Sequence, residues 1–212
     1  MTNFIPLFPL GIVVYPGEWL NLHIFEPRYR QLIRECKEEN KAFGIAPVIA
    51  NRVQETGSVV ELKELVNEYD DGRMDIRVQG TRIFRMLEVV KTIPDKLYSG
   101  AIVHYPDNRM TSNSVLLTGV LAAIRELHRR LNVTKKFRLP DEQLCSYDLA
   151  HHAGLSLEQE YELLELVDEW QRLEYLRRHL QSALPMIAEM DNLRERINLN
   201  GHFRELKGWD PE

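Results

Sequence analysis

The sequence has few features of a secreted, membrane-spanning or nucleic-acid-binding protein. Its 212 residues include only two cysteines, Cys36 and Cys145, which lie far apart and lack the spacing of a metal site. No apolar run approaches the roughly 20 residues that a transmembrane helix needs, and no signal peptide follows Met1. The net charge of −5 gives no bulk attraction to nucleic acid or acidic membranes. These absences predict a reduced, soluble, cytoplasmic protein.

Sequence motifs of common enzymes are also absent. The chain contains no H-E-x-x-H, G-x-S-x-G or C-x-x-C motif. His151 and His152 are adjacent and would point about 100° apart on a helix, so they cannot chelate one ion together, and a solvated helix end is the expected setting. Cys36 is expected to be a buried small hydrophobe, and Cys145 has no partnered histidine in a recognisable pattern. We therefore expect no catalytic residue, no metal and no cofactor.

The chain up to about Tyr105 is dominated by strand patterns. About six strands and one helix in this part indicate a sandwich or a partly closed barrel. The helix opens at Pro27, and its apolar stripe has the i, i+3, i+4, i+7 spacing, at Tyr29, Leu32, Ile33 and Cys36. The prolines of residues 5–16 are unsuited to a central ladder and predict an edge or bulged strand.

After residue 107 the pattern becomes helical. Ser156 and Gln159 have the spacing of a capping box, and leucines at three- to four-residue spacing follow Asp168 in a long helix. Pro185 is expected to kink or end this helix, and Gly201 is expected to terminate its continuation. The sequence thus predicts two domains, a β-rich domain at residues 1–107 and a helical domain at residues 108–212.

Several spaced motifs in the β-rich part agree with one known family. The motifs are PLFPLG from Pro6, PG at Pro16, LNLHIFEPRY from Leu20, FGI from Phe43, and a DGR…VQGTRIFR run from Asp71. In content and order they closely resemble the start of the substrate-binding domain of Lon proteases. The resemblance implies an α+β fold, with an N-terminal β-rich PUA-like pseudo-barrel containing one helix, followed by a C-terminal helical bundle with a long helix. It also implies that the domain binds proteins or peptides.

Two modules of a complete Lon protease are not found in this sequence. No glycine is followed by lysine, which excludes a P-loop, and no C-terminal segment is long enough for a module with a Ser–Lys pair. We therefore expect a non-catalytic module that binds proteins or peptides, in protein quality control or in the regulation of proteolysis. The expected partners are unfolded or damaged polypeptides, another protein, or a full-length Lon protease.

The candidate peptide-binding residues come from two of these motifs. They are Pro9, Leu10, Phe25, Glu26, Pro27, Arg28 and Tyr29. In an alternative, structural interpretation Phe25 packs in the core, Glu26 satisfies free N–H groups at the helix start, and Arg28 pairs with an acid. A second hypothesis is strand addition to proline-rich edges at residues 5–9 and 12–16. In the alternative interpretation, the neighbouring strands or the helix cover these residues.

Two further segments have alternative interpretations. The basic stretch from Arg125 to Arg138 is compatible with an RNA-binding PUA-like protein, which is the alternative function. Cations that complement the carbonyl end of a helix explain the same stretch more simply. On the long helix, Trp170, Tyr175 and Met186 can contact a partner or form the core of a helical bundle.

Overall fold

The computed structural model describes residues 3–111 and 114–205. A short 3-10 turn at Asp141–Gln143 lies between the second and third helices. The strands are β1 (Asn3–Leu10), β2 (Trp19–Ile24), β3 (Phe43–Ile49), β4 (Arg52–Val53), β5 (Thr56–Glu68), β6 (Met74–Val90) and β7 (Gly100–His104). The helices are α1 (Pro27–Glu39), α2 (Ser114–Arg130), α3 (Ser146–Ala150), α4 (Leu157–Glu165) and α5 (Glu169–Glu205).

Five of the strands form a closed barrel in the order β1-β7-β6-β5-β3. The barrel closes because β1 pairs with β7 along residues 3–6 and with β3 along residues 7–10. The β2 strand extends the sheet beside the first part of β6, and β4 pairs with the end of β3. This barrel, together with the long C-terminal helix, confirms the predicted α+β fold with a PUA-like pseudo-barrel.

The proline-rich segments do not form a free edge, and the alternative interpretation, that neighbouring elements cover them, is the one that the structure supports. The β1 strand has a neighbour on each side, antiparallel β7 and parallel β3. Residues 3–6 of β1 pair only with β7, and residues 7–10 pair only with β3. Each half therefore has one side that needs no backbone hydrogen bonds to a neighbouring strand. This tolerates Pro6 and Pro9, neither of which can donate a backbone hydrogen bond. Residues 12–16 are not a strand, and Val13 and Val14 in this segment are buried.

Helix α1 packs its apolar stripe against the strands. The four residues predicted for this stripe are all buried: Tyr29, Leu32, Ile33 and Cys36. They belong to one cluster with Ile24 and Met74 at the paired ends of β2 and β6. The turn before β6 contains Gly72 with a φ of 81°, a conformation that glycine adopts without steric cost. Local sequence pattern and tertiary packing therefore agree in this part of the chain.

The β lobe (residues 3–104) and the helical lobe (residues 114–205) share a hydrophobic core. Val13, Tyr15 and Ile83 from the β lobe lie in the same buried cluster as apolar residues of α2, α3, α4 and α5. The connecting segment is held by Arg109, which pairs with Asp168 just before α5. The division into domains at residues 107 and 108 follows the change in secondary structure and stays a prediction.

Helix α5 is longer than predicted, because it continues through Pro185 and Gly201. Pro185 leaves the carbonyl of Gln181 without its helical donor, but Gln181 is exposed, so water can bind that carbonyl. Before the proline, α5 packs against α2 with a face that includes buried Leu173 and Leu176. Beyond it, among the side chains that the structure describes, four apolar ones are more than half exposed: Met186, Met190, Leu193 and Ile197. The bundle-core interpretation is wrong for Met186, and also for Trp170, which is 56% exposed.

A buried polar cluster connects the linker, α3 and α5. Arg172 and Glu169 have no solvent-exposed side-chain surface and form an ion pair of 2.9 Å. The guanidinium also donates to Ser146 Oγ at 2.8 Å and to Asn108 Oδ1 at 2.9 Å, and it lies 4.2 Å from the Tyr147 ring centre. Because a buried charge needs several partners to offset its lost hydration, this cluster fixes the positions of the linker and α3 relative to α5.

Among the described residues, no helix is both long and apolar enough to cross a membrane.

Candidate binding groove

A groove of about 540 Å³ lies between the two lobes, and we call it the interlobe groove. Its wall on the β lobe consists of residues 15–19 and Gln79. Its wall on the helical lobe consists of Lys135, Lys136, Arg138, Leu139 and side chains in and around α3, namely Cys145, Tyr147, Asp148, His151 and His152. Two apolar side chains are each 41% exposed, Trp19 on one wall and Leu139 on the other. The groove therefore offers apolar contacts on both sides.

The wall on the β lobe is shaped by two glycines. Gly17, in the Pro16-Gly17 turn, has a φ of 86°, which turns the chain into β2. Gly80 on β6 lies so close to the Tyr15 carbonyl that a Cβ atom there would overlap it. The backbone N–H of Gly80 also donates to the Glu18 carbonyl at 2.8 Å. These contacts hold the turn against β6 and place Trp19 at the edge of the groove.

Tyr15 joins the two lobes below the groove. Its side chain is fully buried, its ring stacks on Tyr147 at 5.3 Å, and its hydroxyl donates to the Glu160 carbonyl at 2.9 Å. Burial, assisted by the charges of Glu160 and Glu18, raises the pKa of Tyr15 far above its ordinary value. The phenol therefore stays neutral and acts as a hydrogen-bond donor.

His151 forms a second link between the lobes. Its Nδ1 lies 2.7 Å from Glu160 Oε1, and its Nε2 lies 3.2 Å from Glu18 Oε2 on the opposite wall. Burial alone would lower the pKa of His151, but hydrogen bonds to Glu160 and Glu18 outweigh burial and raise it to about 9. The imidazole is therefore cationic at neutral pH. The prediction of a solvated helix end is wrong, because two carboxylates from different parts of the chain converge on this ring.

The charges that line the groove are mostly positive. Glu18 Oε2 is occupied by the Tyr15 N–H and His151, and Asp148 Oδ2 accepts the backbone N–H and the thiol of Cys145. Lys135 donates to a backbone carbonyl. Within the part of the chain that the structure describes, Lys136 and Arg138 are exposed and have no ion-pair partner. The groove thus has more positive than negative charge available to a ligand.

The remaining cations of the predicted basic stretch are already paired. Arg125 makes two hydrogen bonds with Asp141, at 2.8 and 2.9 Å. Arg129 and Arg130 both bind the Glu126 carboxylate. These hydrogen bonds lower the pKa of Glu126 to about 2. The structure therefore leaves only the lysines and Arg138 of the stretch for binding an anion.

The predicted peptide-binding residues do not converge on one pocket. Pro9 lines a separate depression of about 330 Å³ on the β lobe, together with Leu87 and Val89, and Leu10 is partly buried against the core. At the other site, Tyr29 is buried against Phe8, with ring centres 4.1 Å apart. Whether either site binds peptide stays a prediction.

The segment from Phe25 to Arg28 lies at the corner between β2 and α1. Phe25 is 60% exposed, so the interpretation that placed it in the core is wrong. Glu26 precedes the helix and pairs with Arg28 at 2.8 Å, and no side-chain cap bond is formed. Pro27 is the first residue of α1, where its missing N–H is not needed. Phe25 is the one predicted site residue in this segment with a large apolar surface open to solvent.

The exposure of Trp19 follows from the alternation of side chains along β2, a pattern that is visible in the sequence. Along β2, Leu20, Leu22 and Ile24 face the core, whereas Trp19 and His23 are exposed. This alternation places an aromatic residue directly after a Pro-Gly turn on the solvent side. No local pattern indicates His151 or Tyr15 as groove residues, since the contacts that join them to the opposite lobe are with residues more than 130 positions away in the sequence.

The two cysteines have the environments of unreactive thiols. Cys36 is buried, and burial raises its pKa to about 12. Burial and the neighbouring Asp148 likewise raise the pKa of Cys145 to about 12. Among the described residues, no group of three or more His, Cys, Asp and Glu side chains is placed to hold a metal ion.

The fold defines the class as a PUA-like barrel joined to a helical bundle through a common core. The chain matches the family model of the ATP-dependent protease La (LON) substrate-binding domain over residues 5–182, and it belongs to this family. This match confirms the resemblance seen in the sequence.

Two solved structures support the same assignment. One is a Lon N-terminal domain protein from Xanthomonas campestris, with 27% sequence identity and a TM-score of 0.60, covering 82% of this chain and 96% of that one. The other is the N-terminal domain of the Mycobacterium avium complex Lon protease, with 18% identity and a TM-score of 0.61, covering 85% of this chain and 100% of that one. At the lower identity the likeness concerns the fold alone.

Proposed function

We propose that this protein is a non-catalytic module that binds extended segments of unfolded or damaged polypeptides in the interlobe groove. The observation that supports this most is the groove itself, where Trp19 and Leu139 present apolar surface from opposite lobes. Membership of a family of substrate-binding domains makes polypeptide the expected ligand. A volume of about 540 Å³ falls in the range of about 300–1,000 Å³ that is typical of pockets for small ligands. It therefore suits a short segment of chain better than a folded domain.

The free edge of β2 offers a path for the rest of a bound segment. β2 pairs with β6 on one side, and none of the strands in the described residues pairs with its other side. Trp19 stands at one end of this strand, and exposed Phe25 follows the other end. A polypeptide that adds to this edge gains main-chain hydrogen bonds that do not depend on its sequence. This property suits a protein that accepts many unfolded sequences.

The test is binding of a permanently unfolded, carboxymethylated protein with a fluorescent label, followed by fluorescence anisotropy. The variant Trp19→Ala removes an exposed aromatic group from the groove, and we expect about tenfold weaker binding, the effect of losing about 1.4 kcal/mol. The matched control is Trp170→Ala, because Trp170 is an exposed tryptophan as well but lies outside the groove at the start of α5. Phe25→Ala tests whether the bound segment extends along β2.

Two results would contradict the proposal. Absence of saturable binding by the wild-type protein would refute polypeptide binding altogether. Equal losses in Trp19→Ala and Trp170→Ala would show that exposed aromatic surface in general, and not the groove, is responsible.

We also propose that the bound polypeptide is neither cleaved nor unfolded by this chain. The protein would act in quality control or in the regulation of proteolysis by delivering or withholding substrates. Incubation of the purified chain with the labelled unfolded protein and ATP should release no peptides and no phosphate. Co-purification with a full-length Lon protease from the native cell would identify the partner that supplies those activities.

A further inference from the structure

The unpaired positive charge in the interlobe groove lies next to its apolar surface. The loop after α2 contains the exposed residues Lys136, Arg138 and Leu139. All three line the same groove as Trp19. A ligand side chain that contacts Trp19 or Leu139 therefore has cations within its reach. Both cationic side chains are exposed, so a ligand can bind them without first breaking an ion pair.

The acidic residues in the groove are engaged with other groups, and among the described residues they form no ion pair with Lys136 or Arg138. The Glu18 carboxylate holds the Tyr15 N–H and His151, and the Asp148 carboxylate holds the start of α3 through the Cys145 N–H. Each of these bonds maintains the position of one groove wall. The positive charge of Lys136 and Arg138 is consequently left for the ligand to balance.

We propose, on the basis of the function proposed above, that the interlobe groove selects polypeptide segments in which aspartate or glutamate lies close to an aromatic or aliphatic residue. The apolar residue packs between Trp19 and Leu139, and the carboxylates bind Lys136 and Arg138. A basic segment is excluded by repulsion from the same cations. This specificity complements the main-chain pairing at β2, which does not distinguish sequences.

Peptide carboxylates fit this site better than the phosphates of RNA. A single-stranded nucleic acid requires a continuous basic track and several stacking surfaces. Here three of the arginines are bound to neighbouring carboxylates, namely Arg125, Arg129 and Arg130. The basic segment that stays available is short, from Lys135 to Arg138, and among the described residues the groove has one exposed indole, that of Trp19. The net charge of −5 also opposes a long polyanion.

The experiment uses three labelled peptides that share the same tryptophan and leucine and differ at the remaining positions. These positions are occupied by Asp and Glu, by Asn and Gln, or by Lys and Arg. We expect the acidic peptide to bind about fivefold more tightly than the neutral one and more than tenfold more tightly than the basic one, and the preference to shrink as salt is added. Fluorescence anisotropy with the full chain measures all three affinities.

The double variant Lys136→Glu, Arg138→Glu tests the residues directly. Both side chains are exposed, so the fold is retained, and the preference for the acidic peptide should disappear or reverse. The control is Arg52→Glu, Lys91→Glu, which reverses two exposed cations outside the groove and should leave the preference unchanged. Binding of the unfolded protein is measured in parallel on every variant.

The outcomes separate the specificity from the general function. Equal affinity for the three peptides, together with retained binding of the unfolded protein, overturns the charge selection and leaves the proposed function standing. Failure to bind any peptide or the unfolded protein overturns both. Tighter binding of an RNA oligonucleotide than of the acidic peptide also overturns the proposal, because it identifies the anion as phosphate.

Discussion

Replacing Arg172 by methionine should destabilise the protein severely. Methionine fills a similar hydrophobic volume but cannot satisfy the Glu169 carboxylate, which has no solvent-exposed side-chain surface. It also removes the hydrogen bonds that the guanidinium donates to Asn108 Oδ1 and Ser146 Oγ. Removal of one partner from a buried ion pair costs about 3–5 kcal/mol, because the other charge stays buried and unpaired. Domains of this size have a total stability of about 5–15 kcal/mol, so the loss is a large part of the whole.

The expected loss is measured by urea and thermal unfolding of the same samples. For a chain of 150–250 residues, 1 kcal/mol corresponds to roughly 2–4 °C in Tm. The variant Arg172→Met should therefore unfold roughly 6–20 °C below the wild type. The control is Arg178→Met on the same helix, since that side chain is 74% exposed and pairs with Glu174 at the surface. An exposed pair contributes about 0–1 kcal/mol, so the control should change Tm little.

A double-mutant cycle distinguishes the free-energy cost of leaving the Glu169 charge unpaired from the cost of lost packing. Glu169→Gln keeps acceptor capacity for the Ser146 N–H but removes the charge. The combination Arg172→Met, Glu169→Gln should be more stable than the sum of the single losses predicts, because no carboxylate is left buried without a cation. Additive losses, or an Arg172→Met variant within about 1 kcal/mol of the wild type, would refute this account of the cluster.

Three further predictions follow from local features. Because its pKa is raised to about 9, His151 stabilises the fold fully below about pH 6.5, and this contribution is lost as the pH rises through 9; His151→Gln should flatten the decline of Tm over that interval, and an unchanged decline would contradict the role given to the ring. Gly57→Ala places a Cβ against the Phe84 ring and a backbone carbonyl, and should cost about 1–3 kcal/mol, whereas Gly11→Ala meets no atom within 4 Å and should be nearly neutral in the same urea titration. Ser156→Ala removes the side-chain cap of α4 and should cost about 1 kcal/mol, and no measurable change would show that the cap is redundant.

The elements that the sequence predicted correctly depend on short-range patterns. The apolar stripe of α1 is buried as its spacing indicated. The capping box of Ser156 and Gln159 is formed with both of its hydrogen bonds. Each pattern spans only a few residues, so the backbone geometry of one turn or one helix end is sufficient to specify it.

The predictions that were wrong concern the environment of a segment. The prolines of β1 indicated an edge, but barrel closure gave this strand two neighbours, each along half of its length. Pro185 indicated a kink or an end of the helix, and the helix does not end there, because the missing hydrogen bond lies at an exposed position. In both cases the backbone around the proline is accommodated by a neighbouring strand or by solvent, and the spacing of residues in the sequence does not reveal either one.

The sequence alone determined the family, the α+β order and the faces of the shorter helices, because motifs and periodicity are properties of neighbouring residues. Only the tertiary structure decided that Trp19, Lys136 and His151 border one groove, and that Arg172 and Glu169 are buried together with the linker. These groups come from separate lobes and meet only when the common core around Tyr15 has formed. The charge and shape of the groove are consequently products of long-range packing.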